Sequence, residues 1–287
     1  MGNADYTSEA IHERDLQEVC HFMGDVTLQQ GSLDGKRQIL LDGLSKLIEA
    51  DGWIWICAAM DPERNCPTPI NYLFGGINEQ QVAALLNSFS DTASTDPCND
   101  PLAALVARGE HFVRTRQQLV NDKEWYESTY TQTYFLRHGI EHPMYAITPS
   151  EQGYSAVCLF RFKEKPPFSK RQIRIVQIIT SEVRWLSKCN LPSPYAEAVL
   201  KLTPRLRSVL ALLLTGHSCS QIAELYHLSP HTIKGYIRDI YRHFGVSSQV
   251  TLIQLFRDKD PALLNDRPAN SDIDTTPNGV SKTIRSN

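Results

Sequence analysis

Apolar positions along the chain fall into two rhythms, one helical and one strand-like, that exchange at identifiable residues. Leu40, Leu41, Leu44, Leu47 and Ile48 recur at helical spacing, and the run Trp53 to Ala59 behind them is β-rich and reads as a buried strand. A second strand is expected at Asn71–Phe74. Asn78 then stands as an N-cap with Gln81 three residues on, and Val82, Leu85, Leu86 and Phe89 form the apolar stripe of the helix it opens. Asp100-Pro101 reads as N-cap and first helical residue of a short helix reaching about Arg108. Beyond it the pattern predicts a strand at Phe112–Thr115, a helix at Asn121–Arg137, and strands at Ile140–Thr148 and Tyr154–Phe162.

Ser169 is the best-marked helix start in this half: Phe168 stands ready to staple onto Ile173, and Gln172 completes a capping box. Ile173, Val176, Ile179, Val183 and Leu186 would carry that helix through five turns with one face on the sheet. The stretch Cys189-Asn190-Leu191-Pro192-Ser193-Pro194 ends it, because closely spaced prolines disfavour helix. Four short helical patterns follow. Thr203-Pro204 caps the first, which Gly216 ends; Ser218 or Ser220 opens the second; Ser229-Pro230 opens the third, which runs to Phe244 before Gly245; the fourth spans about Ser248 to Phe256. From about residue 260 onward the chain is polar and predicted to be disordered. The expected organisation is therefore an N-terminal helical segment (1–30), an α+β domain with an antiparallel sheet flanked by helices (31–190), a linker (191–198), an all-α four-helix domain (199–258) and a tail (259–287).

Composition adds a charge asymmetry. The 287 residues sum to −3, yet residues 1–198 hold 18 Lys and Arg against 25 Asp and Glu, while residues 199–258 hold seven against three. A basic piece on an acidic body points to a polyanionic partner for that piece, since lysines and arginines that meet phosphates release condensed counterions. No apolar run approaches the ~20 residues of a spanning helix, and the first twenty residues lack the apolar core of a secretory signal. Cysteines 20, 57, 66, 98, 158, 189 and 219 form no C-x-x-C pair, which suits reduced thiols and a cytoplasmic setting without a membrane.

On the third helix of the basic piece two faces separate. Ile233, Ile237, Ile240 and Phe244 are core positions, whereas His231, Thr232, Lys234, Gly235, Arg238 and Arg242 lie elsewhere on the cylinder. A helix-turn-helix has this design: one helix braces while the next offers its outer residues to base edges in the major groove. Lysine and arginine hydrogen-bond guanine, and Gly235 would let backbone come close to DNA. Leu202-Thr203-Pro204-Arg205, Gly216, Ile222-Ala223, Leu228-Ser229-Pro230, Thr232-Ile233-Lys234 and Gly245-Val246 together resemble the LuxR-type (FixJ/GerE-type) helix-turn-helix domain. The resemblance implies base-facing positions at Lys234, Gly235 and Arg238, backbone contacts near Thr232 and Lys234, and a fourth helix used for packing and dimerisation. It further implies a homodimer on double-stranded DNA, with RNA polymerase a candidate partner. Two positions depart from the family: Leu206 replaces its usual glutamate and Gln249 its usual arginine, which suggests a family ion pair lost from both ends. In element order and length, residues 31–190 resemble a GAF-like or PAS-like sensory domain.

Other constellations carry less. His138-Gly139-Ile140-Glu141-His142 matches the spacing of inverted zinc peptidases, but Gly139 and the strand-like residues after it forbid the shared helical face that zinc ligation needs. Trp53, Trp55, Tyr72, Trp125, Tyr126 and Tyr130 are candidates for lining an effector pocket, with plain core packing as the competing assignment. Lactone receptors of the superfamily pair a Trp-x3-Tyr with a later Asp-Pro; Asp100-Pro101 and Trp125 are present here, but Cys57 stands four residues after Trp53. Neither a phosphate loop nor a nucleophile–base set is visible, so no enzyme, cofactor or metal is expected. The sequence thus predicts a transcriptional regulator with a sensory N-terminal domain; the alternative is a sensor or protein-interaction module whose helix-turn-helix has decayed.

Overall fold

The computed structural model describes residues 13–28, 32–61, 66–91, 93–150, 153–188 and 193–257. The predicted tail at 259–287 lies outside them. In chain order the elements are α1 (Glu13–Leu28), α2 (Leu33–Leu47), β1 (Gly52–Asp61), β2 (Cys66–Gly75), α3 (Glu79–Ser88), α4 (Asn99–Val106), β3 (Phe112–Thr115), α5 (Arg116–Leu119), α6 (Asp122–Glu127), α7 (Thr129–Tyr134), β4 (Ile140–Ser150), β5 (Gly153–Phe162), α8 (Lys170–Glu182), α9 (Ser193–Leu200), α10 (Pro204–Leu214), α11 (Cys219–Leu225), α12 (Pro230–Phe244) and α13 (Gln249–Arg257). The strands make one antiparallel sheet in the order β2-β1-β5-β4-β3.

Both faces of the sheet are covered, which is why its strands read as nearly continuous apolar runs. Trp53, Trp55 and Cys57 of β1 face α2 and α8, where Leu40, Leu41, Leu44, Val176 and Ile179 complete a core. Ile54 and Ile56 face the opposite way, into a second core with Leu85, Trp125, Phe135, Tyr145 and Phe160. Arg37 of α2 is completely buried; it stacks 4.0 Å from the Trp55 ring and donates to the carbonyls of Leu186 and Lys188. Trp55 Nε1 donates to the same Leu186 carbonyl at 2.9 Å. With the Leu186 and Lys188 carbonyls held by Arg37 and Trp55, the backbone leaves helical geometry at Val183, and α8 stops at Glu182 and not after the predicted five turns. Val183 and Leu186 are buried all the same.

Five further expectations change. α4 begins at Asn99, two residues before the predicted start, because the Asp96 carboxylate accepts the Cys98 N–H at 2.8 Å and its carbonyl accepts the Asn99 N–H. Pro101 still sits in the first turn, where its missing donor costs nothing. The helix predicted over 121–137 is broken at Ser128, which closes α6 and caps α7 by accepting the Thr131 N–H. The second strand extends well beyond 71–74. Cys57 is disulfide-bonded, against the expectation of reduced thiols, and its partner lies outside the residues with described side chains. Ser193–Leu200, read as part of a linker, forms α9, which packs on β1 and β2. Among the described residues no helix is long and apolar enough to cross a membrane.

Candidate nucleic-acid interface

Local capping sets the C-terminal helices. Thr203 accepts the Leu206 N–H and carries Pro204 at the first helical position; Gly216 leaves α10 at φ +93°; Ser218 and Gln221 form a capping box on α11; Ser229 accepts the Thr232 N–H at 3.1 Å to start α12. α12 ends at Gly245 with φ +65°, the left-handed region that glycine enters without penalty. The turn between α11 and α12 uses a non-glycine residue in that region, His227 at φ 52°, which no sequence signal announced.

α12 is divided lengthwise. Ile233 and Ile240 are fully buried, with Ile237 and Phe244 packed partly into the same core. His231, Lys234, Arg238 and Arg242 are exposed, and Thr232 and Gly235 half-buried. Spacings of three and four residues align them along one side of the helix. Arg242 bridges to Asp239 at 2.8 Å, an exposed pair; Lys234 and Arg238 form no ion pair among the described residues. A Cβ built on Gly235 would meet nothing within 4 Å, so internal packing does not require glycine there.

The basic side faces away from the N-terminal domain. The domains meet through α10 and α11, which lie on α3: Ser208 Oγ donates to the Leu86 carbonyl at 2.9 Å and sits 2.8 Å from Ser90 Oγ, and Arg205 donates to Asn87 Oδ1 at 2.5 Å while stacking 3.9 Å from the Tyr226 ring. Asn87, Ser90 and Ser208 had no signature in the sequence, and Arg205, part of the helix-turn-helix pattern there, gave no sign of its contact with Asn87.

Each of the two departures from the family pattern has a place in the structure. Gln249 Nε2 donates at 2.9 Å to the carbonyls of Leu213 and His217, at the far end of α10. Leu206 lies in the first turn of that helix, packed on the core.

Residues 200–256 match the family "Bacterial regulatory proteins, luxR family". The C-terminal module is a LuxR-family helix-turn-helix domain. No curated protein matches the chain in sequence. Among solved structures, SdiA in complex with octanoyl-rac-glycerol is 10% identical over 91% of this chain and 97% of its own, at a TM-score of 0.37, and SdiA from Escherichia coli in another crystal is similar at 9% identity, covering 86% and 98%, with TM-score 0.37. The VqsR LBD domain from Pseudomonas aeruginosa is 15% identical over 61% of this chain and 94% of its own, at 0.40. Superpositions this loose carry no argument about ligands.

The aromatic residues expected to line one pocket are divided between the two faces of the sheet. Trp53 and Trp55 belong to the core under α2, with Trp53 Nε1 on Asp42 at 2.9 Å. Trp125 and Tyr130 belong to the opposite core, Tyr72 borders both, and Tyr126 is largely exposed, hydrogen-bonded to Glu141 at 2.5 Å. Within the second core Trp125 Nε1 and Thr131 Oγ1 are fully buried without a hydrogen-bond partner, and burial holds the Asp96 carboxyl up at about 6. His138 closes a 3-10 turn and His142 lies in β4, with Gly139 at φ +78° between them, so the two share no helical face.

Proposed function

We propose that the protein is a sequence-specific DNA-binding transcriptional regulator, in which α12 enters the major groove with Lys234, Gly235 and Arg238 toward base edges and with His231, Thr232 and Arg242 near the phosphates. The observation that carries this is the division of α12 into a buried apolar side and an exposed basic side left open by the docked N-terminal domain. Its N-terminus also presents the positive end of the helix dipole to phosphate. The protein would act as a homodimer on DNA, reading a palindrome.

The N-terminal domain is the sensory half of this reading. Its effector is a small molecule held in the core that contains Trp125 and Thr131, because buried polar atoms without partners are rare in folded chains and mark places where another molecule supplies the missing bonds. The direct coupling route to DNA is α3, which borders that core through Leu85 and receives Ser208 and Arg205 on its other side.

The test is selection of the full chain against a random duplex pool at two salt concentrations, with Lys234→Ala beside it. Enrichment of a palindromic site that the variant loses, with retention falling steeply as salt rises, is the expected result. Retention that neither salt nor the variant alters would overturn the assignment.

A further inference from the structure

Away from both the basic side of α12 and the core around Trp125, a cleft of about 280 Å³ opens between the C-terminal end of α4, β3 and the first turns of α8. Four of its lining residues are cations: Arg108, Arg114, Lys170 and Arg174. The only acid among them is Glu110. None of the four forms an ion pair among the described residues, although ion pairs are made elsewhere in this domain by Arg37, Arg116, Lys165 and Arg171. Arg114 is half-buried and donates one N–H to its neighbour's carbonyl at 2.7 Å, which holds its guanidinium at the wall. An acidic body, net −7 over residues 1–198, thus concentrates three net positive charges around one small concavity.

The rest of the lining is pre-formed. His111 is fixed between two residues of α8: its Nδ1 accepts from Gln177 Nε2 at 3.3 Å, so its Nε2–H donates to Thr180 at 2.9 Å. Burial lowers its affinity for a proton, so the ring serves as a neutral wall. β3 is the edge strand of the sheet, which leaves alternate backbone N–H groups on its outer side without a strand partner. Ile173 and Phe112 floor the cleft with apolar surface.

We infer that this cleft binds a small polyanion, of the class of a phosphate ester or pyrophosphate, at a second site distinct from the proposed effector core. Guanidinium groups suit such a ligand because each forms paired, charge-assisted hydrogen bonds to phosphate oxygens, and several cations converging on one volume favour a compact multiply charged anion over a monovalent one. The volume admits a ligand at the small end of the usual range and excludes a nucleic-acid strand as such.

The test is calorimetric titration of the full chain with inorganic pyrophosphate, in parallel with the variants Arg108→Gln and Arg174→Gln, both at exposed positions that the fold does not depend on. Arg184→Gln, which removes an exposed cation outside the cleft, and Lys234→Ala, on the basic side of α12, are controls. Saturable one-site binding weakened about tenfold or more by each cleft variant and unchanged by both controls is expected. Absence of binding, equal weakening by Arg184→Gln, or loss only in Lys234→Ala would overturn the proposal, the last by placing the anion on the DNA-reading helix.

Discussion

Single residues on α12 separate what folds the domain from the exposed side proposed to meet DNA. Gly235 is the clearest case: a methyl there meets open space, and glycine inside a helix costs about 1 kcal/mol relative to alanine. Gly235→Ala should therefore raise stability by about 0.5–1 kcal/mol in chemical denaturation while weakening operator binding; a variant that is more stable and binds equally well would show that no close backbone approach occurs. Lys234→Ala and Arg238→Ala should each reduce specific affinity by about 1–3 kcal/mol in a binding titration without shifting the denaturation midpoint. Thr131 in the N-terminal core makes the complementary argument. Its hydroxyl is fully buried and unpaired, so Thr131→Val should stabilise the ligand-free protein by about 1 kcal/mol in denaturant titration, by removing an uncompensated polar group. These α12 positions were legible in the sequence because a helix face is a local pattern, set by spacing alone. Thr131 was not, since its isolation depends on what α3 and α6 bring around it.

At the scale of elements, the starts legible in the sequence are those whose signal is complete within a few residues: the capping boxes at Asn78 and Ser169, and the Ser-Pro and Thr-Pro openings of α12 and α10; at α11, where the sequence left Ser218 and Ser220 open, the structure takes Ser218. The structure differs where the deciding contact is either distant in sequence, as at α8, or made by a side chain turning back outside the usual cap position, as at α4. α8 ends early because Arg37 and Trp55, more than a hundred residues away in sequence, take the carbonyl of Leu186. α4 starts early because Asp96 folds back on Cys98 and Asn99. That turn has a measurable consequence. Burial raises the Asp96 carboxyl from 3.8 to about 6, so between those values the folded protein binds more protons than the unfolded chain, and stability falls as pH rises through that window before levelling off above it. Asp96→Asn keeps a side-chain oxygen for the Cys98 N–H and removes the buried charge. It should flatten the pH dependence of the unfolding free energy between about 4 and 6 and add about 1–3 kcal/mol at pH 7. An unchanged slope would mean that Asp96 titrates as an exposed carboxylate.

For the whole molecule the question is whether the N-terminal α+β domain and the helix-turn-helix domain behave as one body. A single apolar core runs from Leu40 and Trp55 under the sheet through Val199 and Leu202 to Val209, Ile222 and Ile233, so the boundary visible in the sequence is not a boundary in the packing. Polar contacts laid over that core include Ser208 on Leu86 and Ser90, Arg205 on Asn87, and His217 beside Glu79. Apolar continuity is tolerant of small shifts, whereas hydrogen bonds fix one arrangement, so these contacts set the angle at which α12 is presented. The double variant Arg205→Gln, Ser208→Ala removes the fixing contacts and leaves the core side chains in place. Calorimetry on the unmodified chain should show one cooperative transition spanning both halves. In the double variant the expected outcome is a broadened or divided transition, with faster amide exchange in α3 and little change in α12, whose hydrogen bonds do not involve the interface. If both proteins unfold in two separate transitions, the halves are energetically independent, and an effector in the sheet core would have no route through α3 to DNA.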